Sequence, residues 1–396
     1  MKWNNKMNEF DKYHNDFCSN LNLKKGIYLF GAGKVGGELS KIFKSLCNVK
    51  GFIDNDSNKL HKTYNGLHII SLEEIKKEKI FIVVTISIDK YYEIKQQLND
   101  IGYIENRDYV HWEKFLKMMF PVALNYQEGK NYVGLVQISV TERCTLCCVK
   151  CAHACNYVSI SEEDLAIDIV KESADAFFSF CDYVHTFVLI GGEPLLYKQL
   201  ADAIDYIGEN YRDRIYNFQI STNGTIMPSD SIIEKSKKWD VHYLISNYSV
   251  QIPKLKKQYE LLIDKFDFHK VDYAIFPEDT EWTDYGFQNV ERGNDPQKLI
   301  DVFDSCHTEC HEIRGKRFYY CVMARSVNDN MKRNVGADDY LDLGNLDPAM
   351  QSDKRIFLEY TLGYSDKGYL DMCRFCNGAE RENYIIPAAV QGKRIN

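Results

Sequence analysis

Short apolar runs alternate with amphipathic segments along most of the chain. The first third has apolar runs at 26–30, 49–53 and 80–88, separated by segments at 38–46 and 90–100 in which apolar residues recur with helical spacing. Short apolar runs of this kind are typical of buried strands, and the spaced segments predict helices. The alternation predicts a parallel sheet covered by helices.

The same alternation returns after position 132. A dense apolar run at 133–140 predicts a buried strand. Further signals predict helices at 161–180, 197–210, 229–239 and 253–265, and strands at 184–190, 215–221, 241–247 and 268–276. Repeated βα units of this kind predict a partial or open (β/α) barrel. In such barrels the chemistry lies on loops at the carboxyl ends of the strands.

Length, charge and cysteine content narrow the class of protein. A chain of 396 residues predicts several domains, which we place at 1–120, 133–290 and 300–396. The formal charge of −8 argues against nucleic-acid binding. The longest apolar run is too short to span a membrane and the first residues are polar, so we expect a cytoplasmic protein. The 13 cysteines are then reduced, and their clustering indicates metal binding.

A glycine-rich turn joins the first predicted strand to the first helix. Gly31, Gly33 and Gly36 lie in this turn, and Asp54 follows Gly36 by 18 residues. Such glycines let the backbone approach a phosphate, and the acid accepts from a ribose hydroxyl. Asp56 is an alternative for that acid. The stretch resembles the small Rossmann-like domains of nucleotide-sugar and polysaccharide-modifying proteins, which implies a bound nucleotide; a docking or dimerisation module without a ligand is the alternative.

Four thiols fall within residues 144–151. Cys144, Cys148 and Cys151 have the spacing Cys-x3-Cys-x2-Cys, and Cys147 lies between them. A structural zinc site needs a fourth ligand, whereas a [4Fe–4S] cluster can take three thiolates and leave one iron open. The spacing alone leaves both metals open. It resembles that of the radical S-adenosylmethionine (SAM) superfamily, which implies that these three cysteines hold a [4Fe–4S] cluster that binds SAM.

Two polar segments, each at the end of a predicted strand, extend this resemblance. Gly191-Gly192-Glu193-Pro194 resembles the family segment that holds the amino group of SAM, and Ser221 and Asn223 lie in a segment that resembles its ribose-contacting loop. The resemblance implies that Glu193 accepts a hydrogen bond from the SAM ammonium. Lys150 departs from the family pattern, in which the residue before the third cysteine is often aromatic.

Cysteines return near the end of the chain, at Cys306, Cys310, Cys321, Cys373 and Cys376. Together with a predicted hairpin at 314–320 they resemble the twitch or SPASM-type extension of radical SAM enzymes, which implies an auxiliary [4Fe–4S] cluster. Three ligands would be Cys321, Cys373 and Cys376. For the fourth we favour Cys310 over Cys306, because Cys310 lies closer to the hairpin. The alternative is a structural zinc knuckle with the same thiols and His307 or His311.

The resemblance implies an oxidoreductase-type enzyme in which a 5′-deoxyadenosyl radical abstracts hydrogen from a C–H bond, with electrons from an external donor. Because of the first domain we expect a small carbohydrate-type substrate: a sugar, nucleotide sugar or polyol. Dehydrogenation and epimerisation both remain open. Peptide modification is the alternative within enzymes. A metal-bound scaffold is the alternative outside them, and the segments around Glu193 and Asn223 argue against it because a scaffold needs no SAM contacts.

Overall fold

The computed structural model describes residues 9–77, 79–306, 310–336, 339–364, 367–378, 380 and 384–394, and these form two compact units. The first unit runs to Tyr132 and includes Lys354–Leu362; the second comprises Val133–Asp353 and the residues from Gly363 onward. The segments expected to form a barrel domain and a separate cysteine-rich domain therefore lie largely in one unit. Their separation into two domains stays a prediction.

The first unit is built on a six-stranded sheet. Its elements are α1 (Glu9–Phe17), β1 (Ile27–Phe30), α2 (Lys34–Phe43), β2 (Val49–Ile53), β3 (Thr63–Tyr64), β4 (Leu67–Ile70), β5 (Phe81–Val84), α3 (Ile88–Asp100), β6 (Tyr109–His111), α4 (Trp112–Lys114), a π-helical turn (Phe115–Met119) and α5 (Phe120–Glu128). The strand order is β3-β4-β2-β1-β5-β6. All neighbours are parallel except β3, which forms an antiparallel hairpin with β4.

The sequence explains why these strands form the core of that unit. Phe30, Ile53, Ile82 and Val84 come from three adjacent strands and are at most 2% exposed. The predicted strand at 80–88 is shorter than expected. It ends at Val84, and α3 begins at Ile88 after an extended Ser87.

The second unit contains an eight-stranded sheet with helices between its strands. Its elements are β7 (Tyr132–Thr141), α6 (Ile167–Phe180), β8 (Tyr183–Gly191), α7 (Leu200–Tyr211), β9 (Ile215–Thr222), α8 (Asp230–Lys238), β10 (Val241–Ile245), α9 (Leu255–His269), β11 (Tyr273–Ile275), β12 (Glu281–Thr283), α10 (Pro296–Ser305), β13 (His311–Arg314), β14 (Arg317–Tyr319), α11 (Val322–Met331), β15 (Leu341–Asp342) and β16 (Ile385–Pro387). A further helix, α12 (Gln351–Thr361), lies mostly in the first unit. The strand order is β11-β10-β9-β8-β7-β13-β14-β15, and β12 pairs separately with β16.

The expected mixed α/β class with parallel sheets is confirmed. The pairs β8–β9, β9–β10, β10–β11 and β7–β13 are all parallel. The predicted hairpin is β13–β14, which turns at Gly315 with a φ of 56°. The last strand begins later than the predicted range of 268–276. The helix α9 continues to His269 and is followed by Lys270 in the left-handed conformation, so β11 begins only at Tyr273. None of the described helices has the length and apolar character needed to cross a membrane.

Candidate functional site

The loop that carries Cys144, Cys148 and Cys151, which we call the cysteine loop, begins where β7 ends. The glycine pair at the end of β8, Gly191 and Gly192, lies directly against it. The Gly192 N–H donates to the Thr141 carbonyl at 2.9 Å, and the Glu193 N–H donates to the Arg143 carbonyl at 2.8 Å. A Cβ on Gly191 would lie 2.0 Å from the Thr141 oxygen, and one on Gly192 would lie 2.2 Å from the Arg143 oxygen. Only glycine therefore permits this approach.

Glu193 joins the ends of β8 and β9 through a fully buried carboxylate. It accepts hydrogen bonds from the Leu195 N–H at 3.0 Å, the Thr222 hydroxyl at 2.7 Å and the Asn223 N–H at 2.8 Å. Burial raises its pKa to about 7. A carboxylate accepts about four hydrogen bonds, so three protein donors leave one acceptor position. The expected role as an ammonium acceptor is restricted to that position, and the carboxylate also fixes the neighbouring strand end.

Asn223 faces the cysteine loop rather than open space. Its side-chain amide donates to the Cys144 sulfur at 3.5 Å and to the Thr145 hydroxyl at 3.3 Å. Its own oxygen accepts from the Thr225 hydroxyl at 2.6 Å. Ser221, by contrast, is half-buried and accepts from Gln219 at 2.9 Å. In this arrangement the polar groups of Asn223 order the loop, and the expected ribose contact of these two residues stays a prediction.

The three spaced thiols lie in a largely buried loop that supplies donors to sulfur. Cys144 and Cys148 are each 8% exposed, and burial raises the pKa of both thiols to about 12. A hydrogen bond from the Cys155 thiol lowers the pKa of Cys151. The Leu146 N–H also donates to the Cys144 sulfur at 3.4 Å. Amide donors directed at sulfur suit bound thiolates, so the donor set fits an iron–sulfur cluster.

The position before the third cysteine is filled by an ion pair instead of an aromatic ring. The Lys150 ammonium lies 2.7 Å from the Asp284 carboxylate, and both side chains are about a quarter exposed or less. Gln288 donates to the adjacent Val149 carbonyl at 3.0 Å. The segment containing Asp284 and Gln288 thus flanks the tip of the loop.

Four of the five late cysteines line one cavity. They are Cys306, Cys321, Cys373 and Cys376, and the other lining side chains include Phe303, Tyr320, Met323 and Leu370. Burial raises the pKa of Cys321 to about 12 and that of Cys373 well above its usual value. The cysteines surround a space with mainly apolar walls. Four thiols around such a space fit the donor set of a cluster with four protein ligands.

The preference for Cys310 over Cys306 is not supported by this cavity, which Cys306 lines and Cys310 does not. Cys310 directly precedes β13, whereas Cys306 ends α10 five residues before that strand. The identity of the fourth ligand stays a prediction. His311 does not line the cavity either: its Nδ1 lies 2.7 Å from the Tyr320 carbonyl. His307 falls outside the described residues. Across the described ranges, no three His, Cys, Asp or Glu side chains converge closely enough to hold a single metal ion.

A buried charge network beneath the cysteine loop carried no signal in the sequence. Glu142 follows β7 directly and lies 2.6 Å from Arg314 and 2.7 Å from Arg325. Burial raises the pKa of Glu142, but the charges of these arginines outweigh it and hold the value at about 2. Asn330 donates to Glu142 at 3.0 Å and to the His153 carbonyl at 2.8 Å. The network therefore connects both flanks of the loop to β13 and α11.

In the first unit the three glycines have three different roles. Gly31 has a φ of 121°, and a Cβ on Gly36 would lie 2.1 Å from the Gly31 oxygen, whereas one on Gly33 would meet nothing within 4 Å. Gly31 thus forms a turn, Gly36 permits a close helix–strand contact, and Gly33 leaves the backbone open to a ligand. Asp54 already accepts from the Ala32 N–H at 2.9 Å and from Lys59 at 3.0 Å. Its expected contact with a ribose stays a prediction.

Comparisons with known proteins give partial similarities. Residues 23–108 match the family described as C2185-like, N-terminal. An uncharacterized protein of Methanocaldococcus jannaschii is 30% identical over 124 residues, which are 31% of this chain and 41% of that protein. The chain thus spans about two fifths of the length of this curated relative.

The solved structures that match parts of this chain have low sequence identity to it. BtrN in complex with AdoMet and 2-DOIA is 17% identical, with 65% of this chain and 100% of that chain covered and a TM-score of 0.42. Streptococcus suis SuiB bound to S-adenosylmethionine is 15% identical, with 54% and 48% covered and a TM-score of 0.30. Native anSMEcpe with bound AdoMet is 17% identical, with 36% and 43% covered and a TM-score of 0.29.

Proposed function

We propose that the chain is a radical SAM enzyme that abstracts hydrogen from a sugar, nucleotide sugar or polyol. The observation that supports this most is the meeting of three strand ends at one place. The loop with Cys144 follows β7, Gly192 binds that loop from the end of β8, and Asn223 faces Cys144 from the end of β9. Carboxyl ends of parallel strands are where such sheets carry their chemistry.

Cys144, Cys148 and Cys151 are proposed to hold the [4Fe–4S] cluster. When bound and reduced by an external donor, this cluster supplies the electron that cleaves SAM to methionine and a 5′-deoxyadenosyl radical. The chain's own residues bury the thiols and exclude water. Asn223 donates to the Cys144 sulfur, and the Glu193 carboxylate holds Asn223 in place by accepting from the Asn223 backbone N–H. Glu193 offers its one remaining acceptor position to an ammonium group.

A second, auxiliary [4Fe–4S] cluster is proposed for the cavity lined by the late cysteines, which we call the late cavity. Its ligands would be Cys306, Cys321, Cys373 and Cys376. The protein fixes these ligands through the turns that carry them. The Asp339 carboxylate accepts from the backbone N–H groups of Asp371 and Met372 at 2.6 and 2.8 Å, directly before Cys373. With four thiolates, no iron is left open to a substrate, so this cluster would act in electron transfer or in stability rather than as a Lewis acid.

The principal experiment is anaerobic reconstitution followed by iron analysis and a SAM cleavage assay with dithionite as donor. Two clusters predict about eight irons per chain. Replacing Cys144, Cys148 and Cys151 together by Ala should leave about four and abolish release of 5′-deoxyadenosine. Cys47→Ala, in the first unit, is the matched control and should keep both the full iron content and the release of 5′-deoxyadenosine. Full iron content in the triple variant would refute the assignment.

The substrate class is tested separately, with sugar nucleotides and free polyols against ribosomal peptides as probes. Incubation in deuterated water distinguishes the two reaction types: epimerisation incorporates solvent deuterium at the reacting carbon, whereas dehydrogenation gives a product two hydrogens lighter.

For the first unit we propose a nucleotide at Gly33, tested by equilibrium dialysis of a uridine diphosphate sugar. Gly33→Asp should abolish that binding by charge repulsion, and Gly66→Asp, at an open turn of the same unit, should not.

A further inference from the structure

The last described residues, 390–394, lie along the cysteine loop of the same unit; we call them the C-terminal strap. The Val149 N–H donates to the Val390 carbonyl at 3.0 Å, and the Gly392 N–H donates to the Cys147 carbonyl at 2.8 Å. Cys148 and Gln391 form an isolated antiparallel bridge. The strap therefore pairs with the loop in the manner of a short strand.

The Gln391 side chain makes the closest polar contacts with the loop. Its oxygen accepts from the Cys147 N–H at 2.8 Å, and its nitrogen donates to the Cys148 sulfur at 3.2 Å. The same nitrogen donates to the Ala389 carbonyl at 2.8 Å, which fixes the orientation of the amide. One side chain thus holds the loop backbone and presents a donor to a cluster ligand.

Arg394 and Gly392 complete the strap. The Arg394 guanidinium donates to the Cys144 carbonyl at 2.8 Å and to the Val158 carbonyl at 2.5 Å, so it joins the two flanks of the loop. A Cβ on Gly392 would lie 2.3 Å from a Val149 methyl carbon. A side chain at this position would therefore require Val149 or the strap to move.

We propose that the C-terminal strap is a positioning element for the cluster-binding loop, and that Gln391 raises the reduction potential of the cluster through its donor to Cys148. The assignment rests on the proposed function. Reduction adds negative charge to the cluster and its thiolates, and an N–H donor stabilises the more negative state. Outer partners of ligands commonly change metal affinity or activity by about 10- to 100-fold.

The first experiment compares the midpoint potentials of Gln391→Leu and Gln391→Glu in the reconstituted protein. Both lose the donor to sulfur, so both potentials should fall below that of the wild type. Glu should fall further, because it adds a negative charge near the cluster. Gln288→Leu is the matched control: it removes an amide that donates to the Val149 carbonyl and not to sulfur. A shift in Gln391→Leu no larger than that in Gln288→Leu would overturn the tuning role.

The second experiment needs no iron and tests positioning alone, by amide hydrogen exchange in the metal-free chain. In Gln391→Leu the Cys147 amide should exchange about tenfold faster, as expected for loss of one hydrogen bond. Gln391→Glu keeps the acceptor and should retain protection at Cys147. Gly392→Ala should accelerate exchange at Val149. Unchanged exchange in Gln391→Leu and Gly392→Ala would overturn the strap. If the chain takes up no iron, the proposed function fails, and this arm alone decides the strap.

Discussion

The Glu193 carboxylate accepts a hydrogen bond from the backbone N–H of Asn223 at 2.8 Å, although the two residues follow different strands. The side-chain amide of Asn223 then donates to the Cys144 sulfur. One buried carboxylate therefore sets the position of a residue that contacts the first cysteine of the loop. Glu193 is connected to the loop in a second way, because its own N–H donates to the Arg143 carbonyl.

The first prediction concerns Glu193→Gln. The glutamine NH2 must replace either the oxygen that accepts from Leu195 and Thr222 or the oxygen that accepts from Asn223, so at least one backbone N–H is left unsatisfied. We expect a loss of about 1–3 kcal/mol in the free energy of unfolding, measured by urea denaturation. SAM binding, measured by calorimetry on the reconstituted protein, should also weaken. Glu209→Gln, at an exposed position of α7, is the control and should leave both quantities unchanged.

The second prediction is a pH dependence of that same difference. Burial raises the pKa of Glu193 from 4.5 in the unfolded chain to about 7 in the folded one. A raised pKa means that its favourable contribution is present below pH 4.5 and is lost as pH rises towards 7. The Gln variant does not titrate. Its deficit relative to the wild type should therefore be larger at pH 5 than at pH 8, and a deficit independent of pH would contradict the assigned pKa.

The third prediction uses the contact between the glycine pair and the cysteine loop. In Gly192→Ala the new Cβ would meet the backbone of Arg143, which cannot move aside as a side chain can. We expect a loss of at least about 2 kcal/mol in the free energy of unfolding and a loss of iron uptake by the first cluster. Gly134→Ala, where a Cβ meets nothing within 4 Å, should change neither. Normal iron uptake in Gly192→Ala would show that the loop does not depend on this approach.

The fourth prediction separates Cys306 from Cys310. Cys306 lines the late cavity and Cys310 does not. Cys306→Ala should therefore lose about four irons, one cluster's worth, while Cys310→Ala retains them. Iron analysis and electron paramagnetic resonance of the reduced proteins distinguish the outcomes. The reverse result would restore Cys310 as the fourth ligand.

The parts predicted from sequence are those with a local pattern. The strands β1 and β5 are continuous apolar runs, and such runs specify parallel strands because both faces are covered. The strands β2, β7, β8 and β9 are rich in apolar residues but interrupted by polar ones. The hairpin β13–β14 and the cysteine spacing are equally local. These patterns also place the Gly192 and Asn223 segments at strand ends without any knowledge of contacts.

The parts that were missed depend on contacts between distant residues. Gln391 meets Cys148 across 243 positions, and Arg325 meets Glu142 across 183. Single polar residues at such separations follow no periodicity, so no pattern reveals the pair. The proposal of Cys306 over Cys310 also rests on such contacts: the lining of the cavity depends on the fold between Cys321 and Cys373, and spacing along the chain does not report it. Which of the two cysteines is the fourth ligand stays a prediction.

The last prediction tests the buried network beneath the loop through Arg325. Its side chain is fully buried and lies 2.7 Å from Glu142 and 2.5 Å from Glu312. Arg325→Met fills a similar volume but leaves both carboxylates without their shared cation. Because an unpaired buried charge is expensive, we expect a loss of about 3–5 kcal/mol in the free energy of unfolding, measured by urea denaturation. Arg317→Met, at an exposed position of β14, is the control.

A double variant decides whether that loss is electrostatic or a matter of packing. Burial raises the pKa of Glu312, so this carboxylate is the costlier of the two once Arg325 is gone. Adding Glu312→Gln to Arg325→Met removes its charge and should recover part of the lost stability. Glu142 remains paired with Arg314 at 2.6 Å and needs no second change. If the double variant is no more stable than Arg325→Met alone, the loss comes from packing, and the network does not support the cysteine loop through its charges.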